Sequence, residues 1–243
     1  MRAKVPAMSG RVRLHVNVDH VATLRNQRDT PYPDVIAAAR ACLEAGADGI
    51  TAHLREDRRH IRDADIDALR ALTMPVLNLE CAATDEMVAI AKRVRPDCVT
   101  LVPERREERT TEGGLDVVGG GAALAARVKA LLDAKIRVSL FIAADPAQLR
   151  ASKALGVQQI ELHTGEYAHA PSLGLSQLAE GAKLGASLGL EIAAGHGLTA
   201  QNVPALLRAA PEIVELNIGH ALICDAVFVG LPAAVRAMRA AMI

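Results

Sequence analysis

Short apolar segments alternate with longer Ala- and Leu-rich segments along the chain of 243 residues. The short segments hold mostly apolar residues and are bounded by Gly, Pro, Asp or Asn, which is typical of buried parallel strands. Eight of them are predicted as strands: RLHVNVDH (13–20), DGITAHL (48–54), PVLNLE (75–80), DCVTLVPE (97–104), RVSLFI (137–142), QIELHTG (159–165), LEIAAGHG (190–197) and IVELNIGH (213–220). The sequence therefore predicts a regular series of buried strands.

The segments between these strands have the spacing of amphipathic helices, as in PDVIAAARACLEAGA, DEMVAIAKRVRP, AALAARVKALLDAK and DPAQLRASKALG. Several begin with an Asp or Thr suited to an N-cap and end at Gly or Pro. In the last segment, DAVFVGLPAAVRAMRAAMI, Pro232 is expected to split or kink the helix.

Eight strand–helix units of about 30 residues each predict a (β/α)8 TIM barrel with a few extra helices. We expect one domain over residues 1–243, in which residues 1–12 form a flexible tail. A doubly wound open sheet is the alternative, but it usually carries a GxGxxG loop after the first strand. The turn NVDHVATLRNQRD lacks that loop, so the barrel is preferred.

Polar residues follow the apolar part of most predicted strands, where the active sites of such barrels lie. These are Asn17, Asp19 and His20 (strand one), His53 and Arg55 (two), Asn78 and Glu80 (three), Glu161 and His163 (six), His196 (seven), and Glu215, Asn217, Gly219 and His220 (eight). Several are spaced i, i+2 and would share one face of a strand. One such residue would be an ordinary strand end, whereas five strands with the same pattern predict a polar pocket.

The predicted loops suggest what this pocket binds. AGHGLTAQN and NIGHALICDA follow strands seven and eight, where barrels commonly bind phosphate through backbone N–H groups, although ordinary tight turns would look similar. Arg55, Arg58, Arg59 and His60 form a second cationic cluster, and Arg28 adds another cation. Two anion sites would take two phosphorylated ligands, or one ligand with two phosphates. The long connection at 103–121 is interpreted as a lid.

Composition excludes several other classes of function. The 28 basic and 28 acidic residues cancel, and two Tyr, two Phe and no Trp leave few platforms for bases, so we expect no nucleic-acid partner. No apolar run reaches the roughly 20 residues of a membrane span. Four scattered cysteines indicate reduced, mostly buried thiols and a cytoplasmic protein. No lysine ends a strand, which argues against a Schiff-base aldolase.

Seven segments in order resemble the pyridoxine 5'-phosphate synthase family: NVDHVATLRNQR, GADGITAHLREDRRHI, NLE, LVPERREERTTEGGLDV, IELHTG, AGHGLT and ELNIGHALI. The resemblance covers the chain from about residue 14. It implies condensation of 3-amino-2-oxopropyl phosphate with 1-deoxy-D-xylulose 5-phosphate, giving pyridoxine 5'-phosphate, phosphate and water. It also implies a homo-octamer, with neither a metal nor a cofactor.

The resemblance further implies roles for individual residues. His53 and Glu80 match the general bases, His196 the general acid, and Glu161 the residue that stabilises a transition state. The residues that match the amino-ketone phosphate site are Asn17, Arg28, Gly197, Gly219 and His220. Those that match the deoxyxylulose phosphate site are Asp19, His20, Arg55, His60 and Thr110.

Two other classes of function stay open. The first is a metal-dependent hydrolase or isomerase that uses His53, Glu80, Glu161, His163 and His196 as ligands. The second is a protein that binds phosphorylated metabolites without turnover. The many groups suited to proton transfer argue against the second, because binding alone requires only cations and N–H groups.

Overall fold

A computed structural model describes residues 11–28, 30–104 and 113–243 of the chain. The strands are β1 Arg13–Asn17, β2 Gly49–His53, β3 Leu77–Ala82, β4 Cys98–Val102, β5 Arg137–Ile142, β6 Gln159–His163, β7 Glu191–Gly195 and β8 Ile213–Ile218. They pair in parallel and in sequence order, and β1 pairs with β8 to close the barrel. The predicted (β/α)8 TIM barrel is confirmed.

Helices connect the strands around the outside of the barrel. They are α1 Asp19–Asn26, α2 Val35–Glu44, α3 Asp63–Ala71, α4 Asp85–Val94, α5 Gly121–Asp133, α6 Pro146–Ala154, α7 Gly165–His169, α8 Pro171–Ser187, α9 Val203–Ala209, α10 His220–Val229 and α11 Leu231–Ala241. Local sequence explains several boundaries. The Asp145 carboxylate accepts hydrogen bonds from two N–H groups of the first turn of α6, with Pro146 as its first residue. The predicted break in the last helix occurs at Gly230, whose φ of 81° ends α10, and Pro232 lies in the first turn of α11.

The apolar core lies between the strands and the helices. In β6, Ile160 and Leu162 are fully buried on the outward face, and the same alternation places Leu14 and Val16 of β1 in this core. Three of the four cysteines, all except Cys224, are also buried, and all four are free thiols. Among the described residues, no helix is long and apolar enough to cross a membrane.

In most TIM barrels the interior is filled by branched apolar side chains. In this barrel the inner face of the strands is polar. At its N-terminal end, Arg13 donates to Glu215 at 2.8 and 3.0 Å and also pairs with Glu191. Gln159 donates to Glu215 at 3.0 Å, and Arg137 lies 2.5 Å from Glu191. The positive charges of two arginines thus balance the negative charges of two glutamates in this layer.

The placement of Glu215 corrects the sequence interpretation, which put this residue at the mouth with the other polar residues of strand eight. In the register of β1 and β8, Glu215 lies opposite Arg13, the first residue of β1. It therefore belongs to the closed N-terminal end of the barrel.

Residues at the chain start also contact this end. The guanidinium of Arg11 lies 2.5 Å from Asp48, and the carbonyl oxygen of Val12 accepts a hydrogen bond from Arg239 at 2.8 Å. The rest of the predicted tail, residues 1–10, lies outside the described residues.

Candidate active site

Most of the predicted polar residues lie at the C-terminal mouth of the barrel. Two of the i, i+2 pairs that were expected to lie on one strand extend beyond the end of that strand. Glu161 and His163 lie within β6 and share its inner face, as alternation predicts. β1 ends at Asn17, and Asp19 is the first residue of α1. β2 ends at His53, so Arg55 lies in the following loop. Turns, and not strand alternation, therefore bring Asp19 and Arg55 to the mouth.

Asn17 connects two carboxyl groups at the mouth. Its amide nitrogen donates to Asp19 at 2.9 Å and lies 3.4 Å from an oxygen of Glu80. The other carboxylate oxygen of Asp19 accepts the backbone N–H of His53 at 2.8 Å. Residues from three successive strand–loop units are thus fixed relative to one another, and two of them, His53 and Glu80, are the predicted bases.

Glu104 is a partner of His53 that the sequence did not indicate. Nε2 of His53 lies 2.8 Å from Oε1 of Glu104, and the other oxygen of Glu104 accepts the backbone N–H of Glu56. Burial opposes ionisation of Glu104, but the contact with His53 lowers the pKa of this carboxyl. An ionised carboxylate that accepts from one ring nitrogen leaves the other nitrogen free to act as a base.

His60 is held beside His53 by a buried arginine. Arg25 makes two hydrogen bonds to Asp65, at 2.6 and 2.9 Å, and donates to the carbonyl oxygen of His60 at 3.1 Å. The rings of His60 and His53 are 5.9 Å apart. Nδ1 of His60 accepts the N–H of Ile61, so in the neutral ring the proton is on Nε2. Burial lowers the pKa of His60, which favours this neutral donor.

The cationic cluster predicted after strand two is largely neutralised by acidic neighbours. Arg55 and Arg59 both pair with Asp57, at 3.2 and 2.6 Å. Arg58 pairs with Asp63 and with Glu86, at 3.1 and 2.5 Å. These arginines thus pair with one carboxylate of the same loop, Asp57, and with carboxylates of α3 and α4, while the anion site stays a prediction. Of the three, the one buried at the mouth is Arg55, with an exposed fraction of 3%.

Glu80 and Glu161 are enclosed carboxyl groups whose pKa values are raised by their surroundings. Burial raises the pKa of Glu161 to about 8, the negative charge of Glu215 adds to this, and a hydrogen bond from Asn217 opposes it. The half-buried Glu80 is enclosed by the mouth, and burial followed by the charges of Glu161 and Asp19 raises its pKa well above the ordinary value. Carboxyl groups with raised pKa values that lie together in one pocket are suited to general acid–base catalysis.

His196 has a strained backbone that a neighbouring loop holds in place. Its φ is 81°, in the left-handed region that residues other than glycine rarely adopt. The buried Thr164 hydroxyl lies 2.5 Å from the carbonyl oxygen of His196 and 2.7 Å from that of Gly195. The His163 ring lies 4.9 Å from that of His196, and burial, followed by the His196 charge, lowers the pKa of His163 to about 4. His163 is therefore neutral.

Gly219 and two histidines lie at the start of α10, in one of the two loops where the sequence predicts an anion site. Gly219 precedes this helix, and a Cβ there would lie 2.9 Å from Cβ of Asn17, so only glycine allows this approach. The rings of His220 and His20 are 4.9 Å apart. Gly197 is exposed beside His196 with a φ of 73°. The N–H groups of a helix N-terminus are suited to phosphate.

Among the described residues, Arg28 is a predicted site residue that lies apart from these contacts. Arg28 is exposed after α1 and, within the described residues, makes no hydrogen bond with another predicted site residue. Thr110 and the part of the predicted lid at 105–112 lie outside the described residues. The following segment is anchored, because the N–H of Leu115 donates to Phe141 at 2.7 Å and that of Val117 to Gln148.

The residues able to hold a metal differ from the set considered in the sequence. Within the part of the chain that the structure describes, Asp19, His53 and His60 bring one ligand atom each to within 4.8 Å of the others. A metal on Nε2 of His60 would displace its proton to Nδ1, which already accepts the Ile61 N–H. This hydrogen bond disfavours a metal at Nε2 of His60.

Comparison with known proteins identifies the family. The family model described as "Pyridoxal phosphate biosynthesis protein PdxJ" matches residues 14–243. The chain belongs to the PdxJ family. A pyridoxine 5'-phosphate synthase of Xanthobacter autotrophicus is 58% identical over 242 residues, covering 95% of this chain and 93% of the relative. One of Caulobacter sp. is 56% identical, covering 95% and 96%. The resemblance seen in the motifs is confirmed, and membership of the PdxJ family makes the chain an enzyme.

Solved structures outside the PdxJ family share only the fold. Thiamine phosphate pyrophosphorylase from Pyrococcus furiosus has a TM-score of 0.61 at 16% identity, with 95% of each chain covered. Phosphoribosyl anthranilate isomerase from Thermus thermophilus has a TM-score of 0.59 at 15% identity, covering 94% of this chain and 97% of that one. At such identities the likeness extends to the barrel and not to its chemistry.

Proposed function

We propose that this chain makes pyridoxine 5'-phosphate by condensing 3-amino-2-oxopropyl phosphate with 1-deoxy-D-xylulose 5-phosphate, releasing phosphate and water. Membership of the PdxJ family supports the product. The observation that carries the mechanism is the pair of enclosed carboxyl groups, Glu80 and Glu161, whose pKa values are both raised by burial and by neighbouring negative charge. Ring closure consists of imine formation, eliminations and dehydrations, and each of these steps moves protons.

In this proposal His53 and Glu80 accept protons and His196 donates one. The contact of Nε2 with Glu104 orients the ring of His53 and leaves Nδ1 as the nitrogen that would accept the proton. Glu161 retains its proton near neutrality and can donate a hydrogen bond to oxygen that gains negative charge in a transition state. The amine comes with a substrate, which agrees with the absence of lysine at the strand ends.

The two phosphates would occupy different parts of the mouth. The amino-ketone phosphate would lie at the start of α10, near Asn17, Gly219 and His220, with Gly197 and Arg28 completing the site. The deoxyxylulose phosphate substrate would lie on the other side, near Asp19, Arg55 and His60, with His20 and Thr110. Neutral His60 would donate its Nε2–H to this ligand.

The test is to mix chelator-treated protein with both substrates and to follow product absorbance together with phosphate release. Product and phosphate in equal amounts support the proposal. Activity that disappears on chelation and returns with Zn²⁺ would indicate the metal-dependent alternative. Tight substrate binding without product would indicate the binding protein.

The role of Glu80 is tested by Glu80→Gln. We expect kcat to fall roughly 10²–10⁴-fold, because the variant cannot accept a proton. Glu44→Gln is the matched control, since Glu44 is exposed at the end of α2. A Glu80→Gln enzyme that is as active as this control would remove Glu80 from the mechanism.

We also propose that copies of this chain assemble into a homo-oligomer, an octamer by analogy with the family. Val227, Phe228 and Val229 at the end of α10 are 71%, 87% and 58% exposed, and neighbouring exposed apolar side chains often mark contacts between proteins. Sedimentation of the wild type and of Phe228→Glu tests this. A wild-type monomer would refute the assembly.

A further inference from the structure

Four polar side chains in the barrel interior form one chain of hydrogen bonds that ends at Glu161. The Thr100 hydroxyl donates to Oδ1 of Asn78 at 2.9 Å, and Nδ2 of Asn78 donates to the Thr51 hydroxyl at 3.4 Å. The Thr51 hydroxyl donates to Oδ1 of Asn217 at 3.0 Å. Nδ2 of Asn217 donates to Oε2 of Glu161 at 2.6 Å. We call these four residues the hydroxyl–amide chain.

All the donors in this chain point toward Glu161. A hydroxyl donates one hydrogen, and a side-chain amide donates only from its nitrogen. Because the Thr51 hydroxyl donates to the oxygen of Asn217, the amide nitrogen of Asn217 must face Glu161. Hydrogen bonds in such a series polarise one another, so the last donor is strengthened by those behind it.

The site around Glu161 is built to hold its carboxyl in one orientation. Glu161 is 3% exposed and Asn217 is 6% exposed, so water does not compete effectively for either group. Oε1 of Glu161 lies against Gly195, where a side chain would collide with it. One oxygen is therefore fixed by an amide, and the other occupies space that only glycine leaves.

We propose that Asn217 is the positioning residue for Glu161, and that the rest of the hydroxyl–amide chain fixes the orientation of Asn217. The inference rests on the proposed function, because the chain acts only through Glu161. It assigns a role to inward residues of four strands that do not need to touch the substrates.

The last hydrogen bond of the chain also acts on the pKa of Glu161. Burial and the charge of Glu215 raise its pKa to about 8, whereas the hydrogen bond from Asn217 favours the ionised form. Loss of that donor should raise the pKa of Glu161 further.

The test uses isosteric variants along the chain and a control from the same layer. Asn217→Leu removes the last donor, Thr51→Val removes the link before it, and Thr100→Val removes the first hydroxyl. Ser139→Ala is the matched control. Ser139 lies opposite Thr100 in the β4–β5 register, and within the described residues its buried hydroxyl has no hydrogen-bond partner.

Glu161 is titrated by ¹³C NMR of protein labelled at the glutamate carboxyl carbons, without substrates, and its signal is assigned with Glu161→Gln. We expect Asn217→Leu to raise the pKa of Glu161 by about one pH unit. Thr51→Val and Thr100→Val should give smaller shifts in the same direction, Thr100→Ser should titrate like the wild type, and Ser139→Ala should give no shift.

Three outcomes would overturn the inference. These are an unchanged titration in Asn217→Leu, a Thr100→Val shift no larger than that of Ser139→Ala, or a Thr100→Ser shift equal to that of Thr100→Val. If Asn217→Leu does not fold, Thr51→Val decides, because it breaks the chain one bond earlier. A protein that shows the expected shifts but does not close the ring would refute the proposed function and leave the control of Glu161 standing.

Discussion

Burial of Glu161 should make the stability of the protein depend on pH in a defined direction. Its pKa rises from an ordinary 4.5 to about 8 in the folded state. Between these values the folded protein retains a proton that the unfolded chain releases. Because the folded state then binds more protons, the free energy of unfolding falls as pH rises through this range. At about 1.4 kcal/mol per pH unit, the loss by pH 9 is on the order of 5 kcal/mol.

Glu161→Gln isolates this contribution, since glutamine resembles the protonated acid and can still accept the hydrogen bond from Asn217. Urea unfolding of both proteins at pH 5 and pH 9 measures the free energy of unfolding. We expect similar stabilities at pH 5, and at pH 9 a variant more stable than the wild type by several kcal/mol. Groups that do not interact with Glu161 titrate equally in both proteins and cancel, whereas Glu80, whose pKa is raised by the charge of Glu161, adds to the difference in the same direction. Equal pH dependence in the two proteins would refute the raised pKa of Glu161.

Three further substitutions test other parts of the site. Glu104→Gln should lower kcat by at least about 10-fold with little change in KM, because His53 loses its charged partner; steady-state kinetics measure this, and an unchanged kcat would separate Glu104 from catalysis. Arg25→Leu should lower the free energy of unfolding by about 3–5 kcal/mol in urea titrations, since it leaves the Asp65 carboxylate unpaired, and a loss below 1 kcal/mol would contradict this. Glu215→Gln should lower the pKa of Glu161 in the NMR titration, because it removes a nearby negative charge; an unchanged pKa would show that the two layers are not coupled.

The sequence predicted the barrel and much of its mouth because both depend on local patterns. Strand alternation placed Glu161 and His163 correctly, since both lie inside β6. It put Asp19 and Arg55 at the mouth for the wrong reason, because the chain leaves the strand before each of them and turns bring them there. It also placed Glu215 at the mouth incorrectly, because a period of two identifies the face of a strand and not the end of the barrel.

Contacts between side chains of different strand–helix units could not be predicted from sequence patterns. Glu104 follows β4 and contacts His53 at the end of β2, and Arg25 in α1 contacts Asp65 in α3. The charge pairing within the cationic cluster could not be predicted for a related reason. Its acidic partner Asp57 was visible in the sequence, but the loop conformation determines which charges pair.

The polar interior of this barrel is compatible with a stable fold because the outward face of each strand supplies the apolar core while the inward face carries the polar groups. The outward residues pack against the helices and supply the apolar burial that drives folding. Each inward polar group would cost about 1–3 kcal/mol if it were left without a partner. The hydroxyl–amide chain and the charged layer around Glu215 largely avoid this cost by pairing donors with acceptors across strands. An inward substitution such as Thr100→Val should therefore change the titration of Glu161 while the strand–helix core remains intact.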